Sequence, residues 1–402
     1  MARQSVHIVG ASLAGLRAAE TLRRSGFEGP VVLIGDEPHR PYDRPPLSKQ
    51  FLAGDWERDR LALSPEDRFS ALELEVRLGV QASGFDLQTR TLRTSAGDET
   101  VDGLLIATGA RCRSLPGSEH MAGVHVLRSL DDAETLRAEL AAGPRRVVVV
   151  GAGFIGAEVA ATCRGRGIEV SMIEALSAPL ARVLGEEMGA VSAEVHREQG
   201  VDLRCGVGVD GLDADSNGRV CAVRLSDGST IDADVVVVGI GVVPNTEWLV
   251  GSGLELDDGV VCDSTLSAGP GVVAAGDVAR WPNQRFGETM RVEHWDNAVE
   301  QGVYAARRLL ADDDAELEPF SPVPWFWSDQ YQIKIQMAGR IRADDQMEIV
   351  TGSVEERRFA ALYGRAGRLV GVLGFNRPRH VMHYKTLIHD GASFDEALAA
   401  SL

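Results

Sequence analysis

Val147-Val148-Val149-Val150-Gly151-Ala152-Gly153-Phe154-Ile155-Gly156-Ala157-Glu158 runs from four consecutive valines through a glycine-rich turn into an alanine-rich stretch. A short, continuous apolar run of β-branched residues predicts a strand buried on both faces, and the amphipathic stretch from Ala157 to Gly167 predicts the helix that follows it. Glycines spaced as Gly151, Gly153 and Gly156 permit the tight turn and let the backbone approach a pyrophosphate, which then sits at the positive end of the helix. A second strand, Glu169 to Ile173, ends in Glu174, eighteen residues past Gly156. A carboxylate there bonds ribose hydroxyls and repels a 2′-phosphate, which favours NAD(H). Arg164, Arg166 and Arg182 lie near in sequence and keep NADP(H) as the alternative.

The same order of features occurs nearer the N-terminus. Val6-His7-Ile8-Val9 leads into Gly10-Ala11-Ser12-Leu13-Ala14-Gly15 and an amphipathic stretch from Leu16 to Gly26, then Val31 to Gly35 ends in Asp36-Glu37. Here the middle glycine is replaced by Ser12, which puts a side chain where backbone and phosphate come close. Each unit closes on a strand that ends at glycine, Leu104-Leu105-Ile106-Ala107-Thr108-Gly109 in the first and Val235-Val236-Val237-Val238-Gly239-Ile240-Gly241 in the second. One glycine loop alone is weak evidence, but two copies in matching context imply two Rossmann-like dinucleotide-binding domains. A further strand at Val272-Val273-Ala274-Ala275 ends at Gly276-Asp277 with no third loop and helix, so the chain returns to complete the first domain. The expected division is residues 1–112 with 242–317, residues 113–241, and a C-terminal α+β domain over 318–402. An acidic linker, Asp312-Asp313-Asp314 to Pro319, precedes the last of these.

Over 402 residues the formal charge is −18, with 44% hydrophobic and 25% charged residues. That is the balance of an ordinary globular protein, and the sign of the charge argues against a nucleic-acid partner, which requires a basic face; the α/β class follows from the repeated strand, loop and helix. No window has the uncharged apolar length of a membrane span and no secretory leader is evident, so a cytoplasmic location is expected. The five cysteines, Cys112, Cys163, Cys205, Cys221 and Cys262, are widely spaced and never form CxxC, which predicts reduced, buried thiols and no metal site. Among 41 cationic side chains only three are lysines, Lys49, Lys334 and Lys385, so a lysine inside a motif is informative.

With Pro41-Tyr42-Asp43-Arg44-Pro45-Pro46-Leu47-Ser48-Lys49, Ala107-Thr108-Gly109, Gly151 to Glu158, Ala275-Gly276-Asp277 and Pro324 to Tyr331 set together, the whole chain resembles the FAD-dependent, NADH-oxidising ferredoxin reductases of bacterial cytochrome P450 and aromatic-ring dioxygenase systems, within the glutathione-reductase-like superfamily. The resemblance implies FAD in the first unit, with the loop residues Gly10, Ser12, Leu13, Ala14 and Gly15 joined by Asp36, Glu37, Arg44, Lys49, Ala82, Ala107, Thr108, Gly109, Arg128, Gly276, Asp277 and Trp295. It implies NAD in the second, on Gly151, Gly153, Phe154, Ile155, Gly156, Glu174, Gly239, Ile240 and Gly241, with Glu158 paired to Lys49 near the flavin. Thiol-dependent relatives carry cysteines beside the flavin, on the segment occupied here by Pro45 to Lys49. No cysteine occurs here before Cys112.

The implied reaction is hydride transfer from NADH to FAD, then single-electron transfer to a [2Fe-2S] ferredoxin that serves a P450 or dioxygenase. Lys49 and Glu158 are expected to tune and position, and Trp327 matches a position between flavin and docking surface in relatives. From Arg357 to His389 there are seven cations and no Asp or Glu, a candidate docking stretch for an acidic ferredoxin. The alternatives are an NADH oxidase or peroxidase, and a signalling protein controlled by bound FAD and NAD.

Overall fold

The computed structural model describes residues 3–118, 121–313 and 315–400; Asp314 of the acidic linker lies outside them. The chain divides into two compact units, one of Met1–Asp43, Leu61–Arg111 and Val243–Trp325, the other of Arg44–Arg60, Cys112–Val242 and Phe326–Leu402.

In the first unit a six-stranded sheet carries the strands in the spatial order Ser267–Gly269, Val272–Ala274, Gly103–Ile106, Val6–Val9, Val31–Gly35, Glu75–Leu78. The central strands pair in parallel, Val6–Val9 with both Val31–Ile34 and Gly103–Ile106. They are buried along their whole length, which is why they read as unbroken apolar runs. Helices Leu13–Arg24 and Trp295–Leu310 pack so closely that a Cβ on Gly302 would lie 2.5 Å from the Ala14 carbonyl oxygen. Glycine at this position allows that approach.

In the second unit a five-stranded sheet runs Asp202–Cys205, Glu169–Glu174, Arg146–Val150, Val235–Val238, Val124–His125. Its four valines 147–150 pair with Val235–Val238 on one side and with the strand Glu169–Glu174 on the other. Strand, loop, helix and returning strand thus repeat the plan of the first unit. The same unit contains an antiparallel five-stranded sheet, in the order Trp325–Gln330, Ile333–Gly339, Arg368–Phe375, Arg358–Arg365, Gln346–Ser353, followed by the helices Pro378–Asp390 and Phe394–Ala399.

Two details depart from the sequence expectation. The first-turn residues of both loop helices belong to the glycine motifs themselves, so the helices start at Leu13 and Phe154, three residues ahead of the amphipathic stretches. Four of the cysteines are buried or half-buried and free, but Cys221 is exposed, because the alternation of Val220–Leu225 turns it to the solvent face of its strand.

Candidate functional site

The first loop is shaped by its own backbone. Gly10, at φ +125°, has the Ala107 carbonyl oxygen 2.1 Å from where a Cβ would be, and Gly15 has the Gly10 carbonyl oxygen at 2.0 Å. A side chain at either place would have to displace main chain. Ser12 is the N-cap of the helix Leu13–Arg24 in extended conformation, and its hydroxyl makes no capping bond. The strand ends at Val9, Ile106 and Ala274 bring Gly10, Ala107 and Gly276 to one edge of the sheet, the carboxyl edge where open α/β sheets bind ligands. Gly276, at φ +78°, is packed on Ala14 and donates its N–H to Gln301 Oε1 at 2.7 Å. Gln301 Nε2 is a buried donor without a hydrogen-bond partner among the described residues.

Around this edge, Thr108 and Asn245 exchange hydrogen bonds, Thr108 Oγ1 to the Asn245 carbonyl and Asn245 Nδ2 to the Thr108 carbonyl, both at 2.9 Å. Trp295 Nε1 donates to Asp43 Oδ1 at 2.8 Å. Glu37 accepts from the Tyr42 hydroxyl at 2.5 Å, while Asp36 is exposed at the end of its strand. Ala82 is half-buried at the start of the strand Ala82–Asp86, and Gly109 follows Thr108 at φ +64°.

The second loop repeats the cradle. A Cβ on Gly151 would lie 2.4 Å from the Gly239 carbonyl oxygen and one on Gly156 2.1 Å from that of Gly151, whereas nothing approaches within 4 Å of one on Gly153. Glu174 reaches back to this loop: its Oε2 accepts from Ala152 N–H at 2.8 Å and its Oε1 from Leu176 N–H at 2.9 Å. Ile155 and Ile240 are large apolar side chains left 46% and 39% exposed at the two glycine turns, a surface suited to packing on a planar ring. Free helix N–H groups, main chain open at Gly153 and an acid at the strand end fit a dinucleotide here, and the Gly10–Gly15 loop fits a second one.

Within the second unit the helix Phe154–Gly165 presents one stripe, at four-residue spacing, to two other segments. The Phe154 ring packs edge-on against Phe326 at 4.4 Å between centroids. Glu158 is 3% exposed and accepts three hydrogen bonds, from Ser48 Oγ and from Lys49 Nζ (2.9 Å) on Oε2 and from Ser328 Oγ (2.8 Å) on Oε1. Thr162 Oγ1 donates to the Ser48 carbonyl at 2.8 Å, and beyond the helix end Arg166 Nη1 donates to the Leu52 carbonyl at 2.9 Å. The segment Arg44–Arg60 is therefore gripped along a helix face. Arg44 adds a bond from Nη1 to the Arg128 carbonyl at 2.6 Å. Proline at 45 and 46 shapes the 3₁₀ turn Pro45–Ser48 that presents Ser48 and Lys49 to Glu158.

Strand alternation divides Trp325–Gln330 between two faces: Phe326, Ser328 and Gln330 are buried, Trp325, Trp327 and Asp329 half-buried. Gln330 Nε2 donates to Ser328 Oγ at 3.2 Å. Ser48, Ser328 and Gln330 lie inside the Pro41–Lys49 and Pro324–Tyr331 stretches, but nothing in the sequence marks them as a set around Glu158. Beside the Lys49 pairing implied by the resemblance, the residue pattern itself offers Glu158 as the polar side chain in the apolar first turns of the helix Phe154–Gly165.

The described residues hold no cluster of side chains suited to a metal ion and no helix long and apolar enough to cross a membrane.

Comparison with known proteins covers almost the entire chain. The family of pyridine nucleotide-disulphide oxidoreductases matches residues 4–302, and the reductase C-terminal family matches residues 325–401. Rhodocoxin reductase of Rhodococcus erythropolis is 40% identical over 96% of this chain and 89% of its own length. The ferredoxin–NAD(+) reductase component of the anthranilate 1,2-dioxygenase system of Burkholderia cepacia is 37% identical over 96% of this chain and 95% of its own. Among solved structures, the covalent putidaredoxin reductase–putidaredoxin complex matches with a TM-score of 0.91 at 35% identity, covering 97% of this chain and 94% of that one.

Proposed function

The chain belongs to the pyridine nucleotide-disulphide oxidoreductase family with a reductase C-terminal domain, and from that premise we propose that it is an NADH-dependent ferredoxin reductase serving a cytochrome P450 or ring-hydroxylating dioxygenase. The observation that carries the proposal is the buried Lys49–Glu158 pair, which joins the cysteine-free Pro41–Lys49 motif to the helix of the second glycine loop. Relatives named for ferredoxin reduction match end to end.

Bound FAD would supply the chemistry that a two-electron donor and a one-electron acceptor need, taking a hydride and giving up single electrons. The protein's own residues bind and orient. Gly10, Ser12, Leu13, Ala14 and Gly15 offer main chain to the FAD pyrophosphate, and Asp36 or Glu37 offers carboxylate to its ribose. Ala82, Ala107, Thr108, Gly109, Arg128, Gly276, Asp277 and Trp295 complete that set, with Arg44 acting through the Arg128 main chain. Gly151, Gly153, Phe154, Ile155, Gly156, Gly239, Ile240 and Gly241 take NADH, and Glu174 selects it over NADPH. Lys49 offers a cation and Glu158 its counter-charge to tune and position; neither acts as a nucleophile. The three-domain division at 112, 241 and 317 and a cytoplasmic location accompany this reading.

For the ferredoxin, Arg357 and Arg365 are set aside, since ion pairs with Glu194 and Glu198 and with Asp345 neutralise them. Of the other five cations, Arg379 and Lys385 lie on the helix Pro378–Asp390 and Arg377 is its N-cap, and Met382 on the same helix is 41% exposed. This helix is the better candidate for steering an acidic partner, and Trp327 for carrying electrons toward it. The test is stopped-flow mixing of the yellow protein with NADH and with NADPH, then with a [2Fe-2S] ferredoxin at low and high salt. Fast reduction by NADH, salt-sensitive ferredoxin reduction and slow turnover with oxygen alone are expected. A colourless chain that takes up no flavin would overturn the proposal.

A further inference from the structure

Glu158 is buried at 3% exposure, and its three side-chain partners among the described residues, Ser48, Lys49 and Ser328, all donate. The polarity of this set is fixed one residue further out. A serine hydroxyl has a single proton, and Gln330 Nε2 occupies the oxygen of Ser328, so that proton goes to Glu158 Oε1. Gln330 is fully buried, and its own Oε1 has no hydrogen-bond partner among the described residues. Ser328 thus anchors the carboxylate through Oε1 while Oε2 is turned to Ser48 and Lys49.

We infer that Ser328, held by Gln330, is a positioning residue that fixes the Glu158 carboxylate against Lys49. The inference deepens the reductase reading, because it gives the strand carrying Trp327 a second task through the adjacent residue. Without the Ser328 hydroxyl a buried carboxylate loses one of three donors, its charge is less well supported, and Lys49 is held less firmly as its partner.

Lys49 is one of only three lysines, so its state can be read directly. Trace acetylation of the flavin-loaded protein, followed by mass spectrometry, compares Lys49, 11% exposed, with Lys334, 45% exposed and paired with Asp329 at 2.9 Å. Ser328→Val and Ser328→Thr have equal volume, suit a strand and differ only in the hydroxyl. Ser328→Val should raise the Lys49 to Lys334 labelling ratio about tenfold, the scale of one charge-assisted hydrogen bond. Ser328→Thr should stay close to wild type, and Gln330→Leu, which frees the hydroxyl to rotate, should fall between. Equal ratios for the Thr and Val variants would overturn the inference. Failure of the chain to bind flavin would instead sink the reductase reading, and the labelling comparison could still be made on the flavin-free protein.

Discussion

Gly10-Ala11-Ser12 and Gly151-Ala152-Gly153 turn their chains with the same backbone devices, yet only the second has glycine in the middle. In both loops the first and third glycines face main-chain carbonyls at 2.0–2.4 Å from a would-be Cβ, so the fold itself demands them. The middle residue is different. Ser12 and Gly153 are both N-caps in extended backbone, and neither needs the conformational freedom of glycine. Outer glycines therefore answer to the protein, and the middle position answers to what the loop binds. The loops also differ in their acids, since Glu174 ties its own loop through Ala152 while Glu37 turns to Tyr42.

The sharpest way to break this comparison is to add a methyl group at each kind of glycine. Gly10→Ala and Gly151→Ala force a side chain onto a carbonyl oxygen at positive φ, which should cost roughly 3–5 kcal/mol and empty the corresponding cofactor site. Gly153→Ala should leave the denaturation midpoint unchanged and lower NADH affinity only. Denaturant unfolding beside flavin content checks both, and equal damage from all three would mean that the middle glycine is structural as well.

Acid should separate the units. His7 in the first is buried beside Glu99 at 3.3 Å, and although burial lowers its pKa the carboxylate works against that shift. His196 in the second is fully buried against the Tyr331 hydroxyl at 2.8 Å, and burial takes its pKa down to about 4. Between the ordinary value near 6.5 and that value only the unfolded chain takes up the proton. Stability is thus intact above about pH 6.5 and falls as pH drops toward 4, by about 3 kcal/mol at most. His196→Gln should flatten this dependence in equilibrium unfolding between pH 7 and 4. An unchanged slope would remove His196 as its source.

The acids give a smaller contrast. Glu174→Ala frees Ala152 and Leu176 N–H groups as well as removing the ribose acceptor, so NADH KM should rise about tenfold with flavin content intact. The preference over NADPH should narrow in the same steady-state assay. Glu174→Gln, which keeps an acceptor, should lose less, and a loss equal to that of alanine would point to charge in place of loop anchoring.

How far such contrasts can be foreseen depends on what is periodic. The valine runs, the glycine turns and the closures at Gly109 and Gly241 were legible because buried parallel strands write unbroken apolar runs. The gathering of Ser48, Ser328 and Gln330 around Glu158 was not, because hydroxyls and amides carry no period. The alternation in Trp-Phe-Trp-Ser-Asp-Gln shows which residues share a face, but only packing on the helix Phe154–Gly165 turns that face toward Glu158. Contiguity likewise gives no hint that Arg44–Arg60 groups with the second unit, since Thr162 and Arg166 hold it through main-chain carbonyls that any sequence supplies.

The finest test lies at Ser12. A serine N-cap replaced by glycine ordinarily costs only a few tenths of a kcal/mol, and here the hydroxyl makes no capping bond to lose. Ser12→Gly should therefore melt with wild type, and flavin affinity should move by no more than about twofold. The reciprocal Gly153→Ser has open space for its side chain inside the protein, so it should also fold normally, while weakening NADH by intruding on the pyrophosphate path. Flavin titration of the apoprotein and NADH binding by fluorescence read the two sides. If Ser12→Gly released flavin readily, the hydroxyl would be a ligand in its own right, and the two loops would hold their phosphates by different means.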